Sequence, residues 1–146
     1  MKLSKHFSLK EFTRSETAKR LNIDNNPGVA ELNNLKRLSL ELEKVRELLN
    51  KPIIITSGFR ALELNRKIGS SDKSMHRIGC AADFFVHGLE VKEVVQIIKD
   101  SYIRPDQCIA EFDDWVHFAI SRDASTEPRE MYLTIDKSGT KEFSFA

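Results

Sequence analysis

Apolar positions recur at three- to four-residue steps through Leu32, Leu35, Leu38, Leu42, Val45 and Leu49, the spacing of one face of an α-helix. Asn25-Asn26-Pro27 stands before the run, so an Asn N-cap with proline at the first helical position is expected to start it. Glu, Lys and Arg fill the intervening positions and read as a solvated face. Upstream, Ser8-Leu9-Lys10-Glu11 is a capping box that predicts a short helix fading near Lys19.

Lys51-Pro52 ends the long helix. The β-branched run at residues 53–57 predicts a buried strand opening into the loop Gly58-Phe59-Arg60. Residues 61–68 suit a helical segment, and the polar loop 69–73 delivers Ser74-Met75-His76. A second strand is expected at 81–86, followed by an amphipathic helix marked by Val91, Val94, Val95 and Ile98. Residues 107–111 and 115–120 are β-prone runs around Phe112-Asp113-Asp114, which suits a tight hairpin with Asp in its turn. Residues 131–135 and 141–145 flank a turn at 136–140 and predict another hairpin. Helices first and hairpins late argue an α+β fold: a small antiparallel sheet with helices packed on one side.

Length and composition narrow the classes. At 146 residues, 40% hydrophobic and 31% charged, one domain over residues 1–146 is expected, and collagen-like and disordered classes are excluded. A net charge of +1 offers no field for nucleic acid or anionic membranes. The apolar runs at 52–55 and 81–86 are too short to span a bilayer, and the basic start lacks a signal-like apolar region. A soluble monomer made in the cytoplasm is therefore expected. Cys80 and Cys108 cannot form a disulfide framework or a close Cys-x-x-Cys pair, and are expected as small buried apolar residues.

Candidate chemistry centres on the few histidines, at positions 6, 76, 87 and 117. In Trp115-Val116-His117-Phe118-Ala119-Ile120, strand alternation puts Val116, Phe118 and Ile120 on one face and Trp115, His117 and Ala119 on the other. The first face is core, so His117 faces a surface or cleft. Asp83 lies among Ala81, Ala82, Phe84, Phe85 and Val86, where a carboxylate must be paired or metal-bound. Gly79 permits a tight return that could bring His76 to the same point. Two histidines and one carboxylate with an open fourth position is the donor set of a catalytic zinc site; satisfied buried polar residues are the alternative. His6 and His87 lack such context and are expected to be exposed or helix-capping.

Ser74-Met75-His76-Arg77-Ile78-Gly79-Cys80-Ala81-Ala82-Asp83 resembles the S-x-H-x-x-G-x-A-x-D motif of M15 zinc peptidases, which include D-alanyl-D-alanine carboxypeptidases, dipeptidases and phage L-alanyl-D-glutamate endolysins. Trp115-Val116-His117 is similar to that family's third-ligand strand and Ser57-Gly58-Phe59-Arg60 to its S-G-[YF]-R loop. Residues 3–12, with Ile23-Asp24-Asn25, resemble the phage-type branch, and the likeness extends to about Ile120. Met75, Ser70 and Cys80 depart from common choices without removing a ligand; beyond Ser121 the likeness is poor.

The resemblance implies one zinc per chain on His76, Asp83 and His117, a fold like that of the hedgehog signalling domain and DD-peptidases, and hydrolysis of an amide in the peptidoglycan stem peptide. Zinc in such a site polarises the scissile carbonyl and lowers the pKa of a held water toward ~7, and a general base is still required. Asp114, three residues before His117, matches the spacing of the dipeptidases and endolysins. Glu111, six before it, matches the hedgehog-like and phage-type spacing. Asp113-Asp114 has a turn-forming reason to be acidic and Glu111 has none, which favours Glu111. A three-residue loop at 112–114 would pair Glu111 with Trp115, on the face of His117.

Arg60 suits a substrate carboxylate or developing oxyanion, and Ser57 and Ser74 are further substrate-binding candidates. A phage or prophage protein acting on the wall after membrane permeabilisation, or within a phage particle, is expected. An inactive zinc-binding or virion structural module of the same fold is the competing expectation.

Overall fold

The computed structural model describes residues 1–145. Three helices come first: α1 (Leu9–Thr13), α2 (Glu16–Leu21) and α3 (Val29–Leu49). The capping box starts α1 as expected, but the helix stops where Arg14 turns extended, and Ser15 starts α2 by accepting from the Ala18 N–H at 3.1 Å. Helix α3 begins two residues later than the proline suggested, with Gly28 as N-cap. Asn26, the residue that would have capped a helix begun at Pro27, instead turns back to Asp24, its backbone N–H and side-chain amide donating to Asp24 Oδ1 at 2.9 and 2.8 Å. Leu35, Leu38, Leu42, Val45 and Leu49 form the buried stripe, joined by Ser39.

Strand β1 (Ile54–Ser57), helix α4 (Leu62–Lys67), a 3₁₀ turn (Met75–Ile78), β2 (Ala81–Phe85), α5 (Val91–Lys99), β3 (Gln107–Glu111) and β4 (Trp115–Ala119) follow, and β5 (Met131–Asp136) and β6 (Gly139–Glu142) close the chain. The six strands lie in the order β1-β2-β4-β3-β5-β6. The architecture is α+β. All neighbours are antiparallel except β3 and β5, which run parallel, so the sheet is mixed where the sequence suggested an antiparallel one. The β3–β4 hairpin returns the chain to the Gln107 end of β3, and residues 120–130 need only step across that end to start β5 opposite Gln107. Buried Asp106 pins this step through its contacts with Arg129, the shortest at 2.8 Å.

Helices α3 and α5 cover one face of the sheet, where Ala82, Phe84, Cys108, Ala110, Val116 and Phe118 join their apolar stripes in one core. Strand alternation turns Asp83, Glu111, Trp115 and His117 to the opposite face. Cys80 and Cys108 are free and buried, and burial pushes the Cys80 thiol up to about 11. The last hairpin closes more tightly than the sequence suggested, pairing Asp136 with Gly139. Among the described residues no helix is long and apolar enough to cross a membrane.

Candidate metal centre and active site

His76 sits on the 3₁₀ turn. Ser74 Oγ starts that turn by accepting from the His76 N–H at 3.2 Å, and Gly79 ends it at φ +81°. A Cβ on Gly79 would lie 2.6 Å from the Glu31 carbonyl oxygen on α3. Gly79→Ala is therefore expected to cost about 1–3 kcal/mol, read as a lowered Tm.

Asp83 and His117 are direct cross-strand partners on β2 and β4. Asp83 Oδ1 lies 2.9 Å from His117 Nδ1 and 3.3 Å from His76 Nε2. The two imidazoles meet edge to face at 5.1 Å. One ligand atom from each of the three residues falls within 4.8 Å of the others. Burial would raise the Asp83 pKa, but hydrogen bonds from His117 and His76 outweigh it and hold the carboxyl well below its ordinary range. Burial holds the His76 imidazolium below its ordinary range despite the attraction of Asp83, so a neutral ring is favoured.

This set fits a metal. His76 Nδ1 is 2.7 Å from the Gly58 carbonyl oxygen; a carbonyl only accepts, so Nδ1 carries the proton and Nε2 offers its lone pair to the cluster. His76 is 2% exposed and the side chains of His117 and Asp83 are 13% and 15% exposed. A largely buried carboxylate facing two imidazoles supplies an N,N,O donor set of the kind that binds zinc.

The Gly58-Phe59-Arg60 loop is held against both the 3₁₀ turn and the N-terminal helices. The Arg60 N–H donates to the His76 carbonyl at 3.1 Å, and the Phe59 N–H to that of Phe12 at 2.6 Å. Asn25 accepts from the Ala61 N–H at 2.7 Å and donates to the carbonyls of Phe59 and Thr13 at 3.0 and 2.9 Å. Asn25 is thus the loop's clamp, a role hidden in the sequence behind the capping look of Asn25-Asn26-Pro27. Gly58 is equally hidden: a Cβ there would lie 2.6 Å from the Phe12 carbonyl oxygen.

The Arg60 guanidinium is partly buried with Nε lacking a partner. Burial lowers its pKa while Asp83 and Glu111 act in the other direction. Arg60 and Ser57 line a cleft of about 310 Å³ with Arg14, Ser15, Thr56 and Phe59, and Ser57 pairs across the sheet with Asp83. Ser74, the other candidate serine, has its hydroxyl oxygen engaged in the cap.

Glu111 pairs directly with Trp115, two residues before His117 and on its face. Burial raises the Glu111 pKa; His117, the neighbouring Trp115 indole and Arg60 favour its charged form, and Asp83 opposes it. Asp114 is exposed at the hairpin turn, where its N–H donates to the Glu111 carbonyl at 3.0 Å, and it borders a separate groove with Asp113, Phe85 and Leu89. The structure brings Glu111 beside the cluster and leaves Asp114 at the tip. His6 is exposed and paired with Glu43 at 2.6 Å, and exposed His87 packs edge to face on Phe85.

No curated protein matches this chain. A family model described as Peptidase M15 matches residues 5–119, a span that holds His76, Asp83, His117, Arg60 and Glu111 and ends with β4. Covering well over half of the sequence, that match shows that the chain belongs to the peptidase M15 family.

Proposed function

We propose that this protein is a single-zinc peptidase of phage or prophage origin that hydrolyses an amide bond of the peptidoglycan stem peptide, acting as a monomer on the wall after the membrane is breached or from within a phage particle. The observation that carries the reading is one carboxylate, Asp83, facing both His76 and His117, with Glu111 on the same sheet face as His117.

Bound there, zinc would supply the Lewis acid that polarises the scissile carbonyl. Asp83, His76 and His117 would hold it. Glu111 takes a proton from the attacking water and passes it to the leaving nitrogen, a task suited to a carboxyl whose pKa burial raises. Arg60, fixed through its backbone to His76, offers a guanidinium to a substrate carboxylate or to the oxyanion that forms at the attacked carbon. Ser57 lines the same cleft and can donate to the peptide.

Mass spectrometry of purified peptidoglycan fragments incubated with the protein, with and without a chelator, tests the reading. The expected result is chelator-sensitive addition of one water across one amide. Loss of a terminal residue identifies a carboxypeptidase; two internal fragments identify an endopeptidase. Undigested fragments with zinc-loaded protein would instead favour a binding module. Arg60→Lys keeps the charge and loses the planar fork, so turnover is expected to fall about 10-fold or more with zinc content unchanged. Equal turnover in the variant and the parent would remove Arg60 from the chemistry.

A further inference from the structure

Two side-chain donors near the cluster, Arg60 Nε and Trp115 Nε1, are shut off from solvent and have no hydrogen-bond partner among the described residues. Buried donors in native proteins are nearly always matched to an acceptor, because water is not there to replace one. Arg60 already has the cleft to serve. Trp115 lies directly across the β3–β4 hairpin from Glu111, with its indole beside that carboxylate and short of hydrogen-bond geometry.

The turn holds the indole in place. Phe112 stacks against Trp115 with ring centroids 5.9 Å apart and planes at 45°. It does so from φ 53°, a left-handed conformation that a bulky aromatic residue rarely adopts and that persists where the surroundings enforce it. Its N–H is fixed to the Ile135 carbonyl on β5 at 2.8 Å. The ring is thus braced on one side while its N–H edge is left for an acceptor.

We propose that Trp115 is the positioning residue of Glu111: its indole N–H donates to the Glu111 carboxylate and keeps that carboxylate on the His117 face of the sheet. This rests on the reading of Glu111 as general base. A carboxylate held by a fixed donor keeps one orientation for proton transfer instead of sampling several.

Trp115→Phe keeps an aromatic ring against Phe112 and deletes the N–H. In the zinc-loaded protein this is expected to lower kcat about 10-fold with KM and zinc content close to wild type. Made in a Glu111→Gln background, the same change is expected to cost nothing further, because the residue acts through Glu111. Trp115 is the single tryptophan of the chain, so the Raman band that reports indole N–H hydrogen bonding has one source. That band is expected to show a bonded N–H in the wild type and an unbonded one in Glu111→Leu.

Additive losses in the double variant, or an identical Raman band in wild type and Glu111→Leu, would overturn the proposal. If Glu111→Gln alone leaves turnover untouched, the base assignment fails, while the Raman comparison still decides the contact between Trp115 and Glu111.

Discussion

Glu111→Gln is expected to lower peptidase turnover by about 10²–10⁴-fold while leaving zinc content and fold intact. The amide has nearly the same shape as the carboxylate but cannot take a proton, and residue 111 is outside the group that could hold the metal. Asp114→Asn is expected to keep near-wild-type turnover, since Asp114 stands exposed at the turn and Asn serves a turn equally well. The reverse ranking would transfer the role to Asp114.

The pH behaviour carries a sign. Burial raises the folded-state pKa of Glu111 above 4.5, so the base is lost by protonation at a higher pH than for a solvent-exposed glutamate. The acid limb of turnover should lie above that value and vanish from the residual activity of Glu111→Gln. For stability, a raised carboxyl pKa means that the folded state binds the proton more tightly, so the ionised group costs stability as pH rises through the folded pKa. At neutral pH Glu111→Gln should therefore be no less stable than the parent, as measured by Tm.

The His76→Ala, His117→Ala double variant should lose both zinc and peptidase activity, with metal affinity falling more than about 100-fold. It removes two of the three donors and leaves Asp83 a largely buried carboxylate without its imidazole partners. The fold should survive with reduced stability, because neither histidine belongs to the apolar core that joins α3 and α5 to the sheet. Metal analysis after dialysis, paired with circular dichroism, reads both effects. Full zinc retention in a folded double variant would place the metal elsewhere.

Much of this site could be read from local pattern. The alternation through residues 115–120 put His117 opposite the core, and the apolar surroundings of Asp83 required a partner that its cross-strand pairing with His117 supplies. The pairing of Glu111 with Trp115 followed from a three-residue loop that the structure contains. What escaped depends on contacts distant in sequence. Asn25 bonds to Thr13, Phe59 and Ala61, and no local spacing distinguishes that clamp from a helix cap. Gly58 is needed because the Phe12 backbone passes close by. The parallel pairing of β5 with β3 reflects the path of residues 120–130 across one end of the sheet, which strand propensity does not encode.

Zinc titrated into chelator-treated wild-type protein, followed by calorimetry and by X-ray absorption at the zinc edge, measures the cluster most directly. One zinc per chain, bound by two nitrogen donors and one carboxylate oxygen of the protein, is expected from His76, His117 and Asp83. No saturable binding, or a bound zinc whose coordination shell lacks two imidazoles, would contradict it.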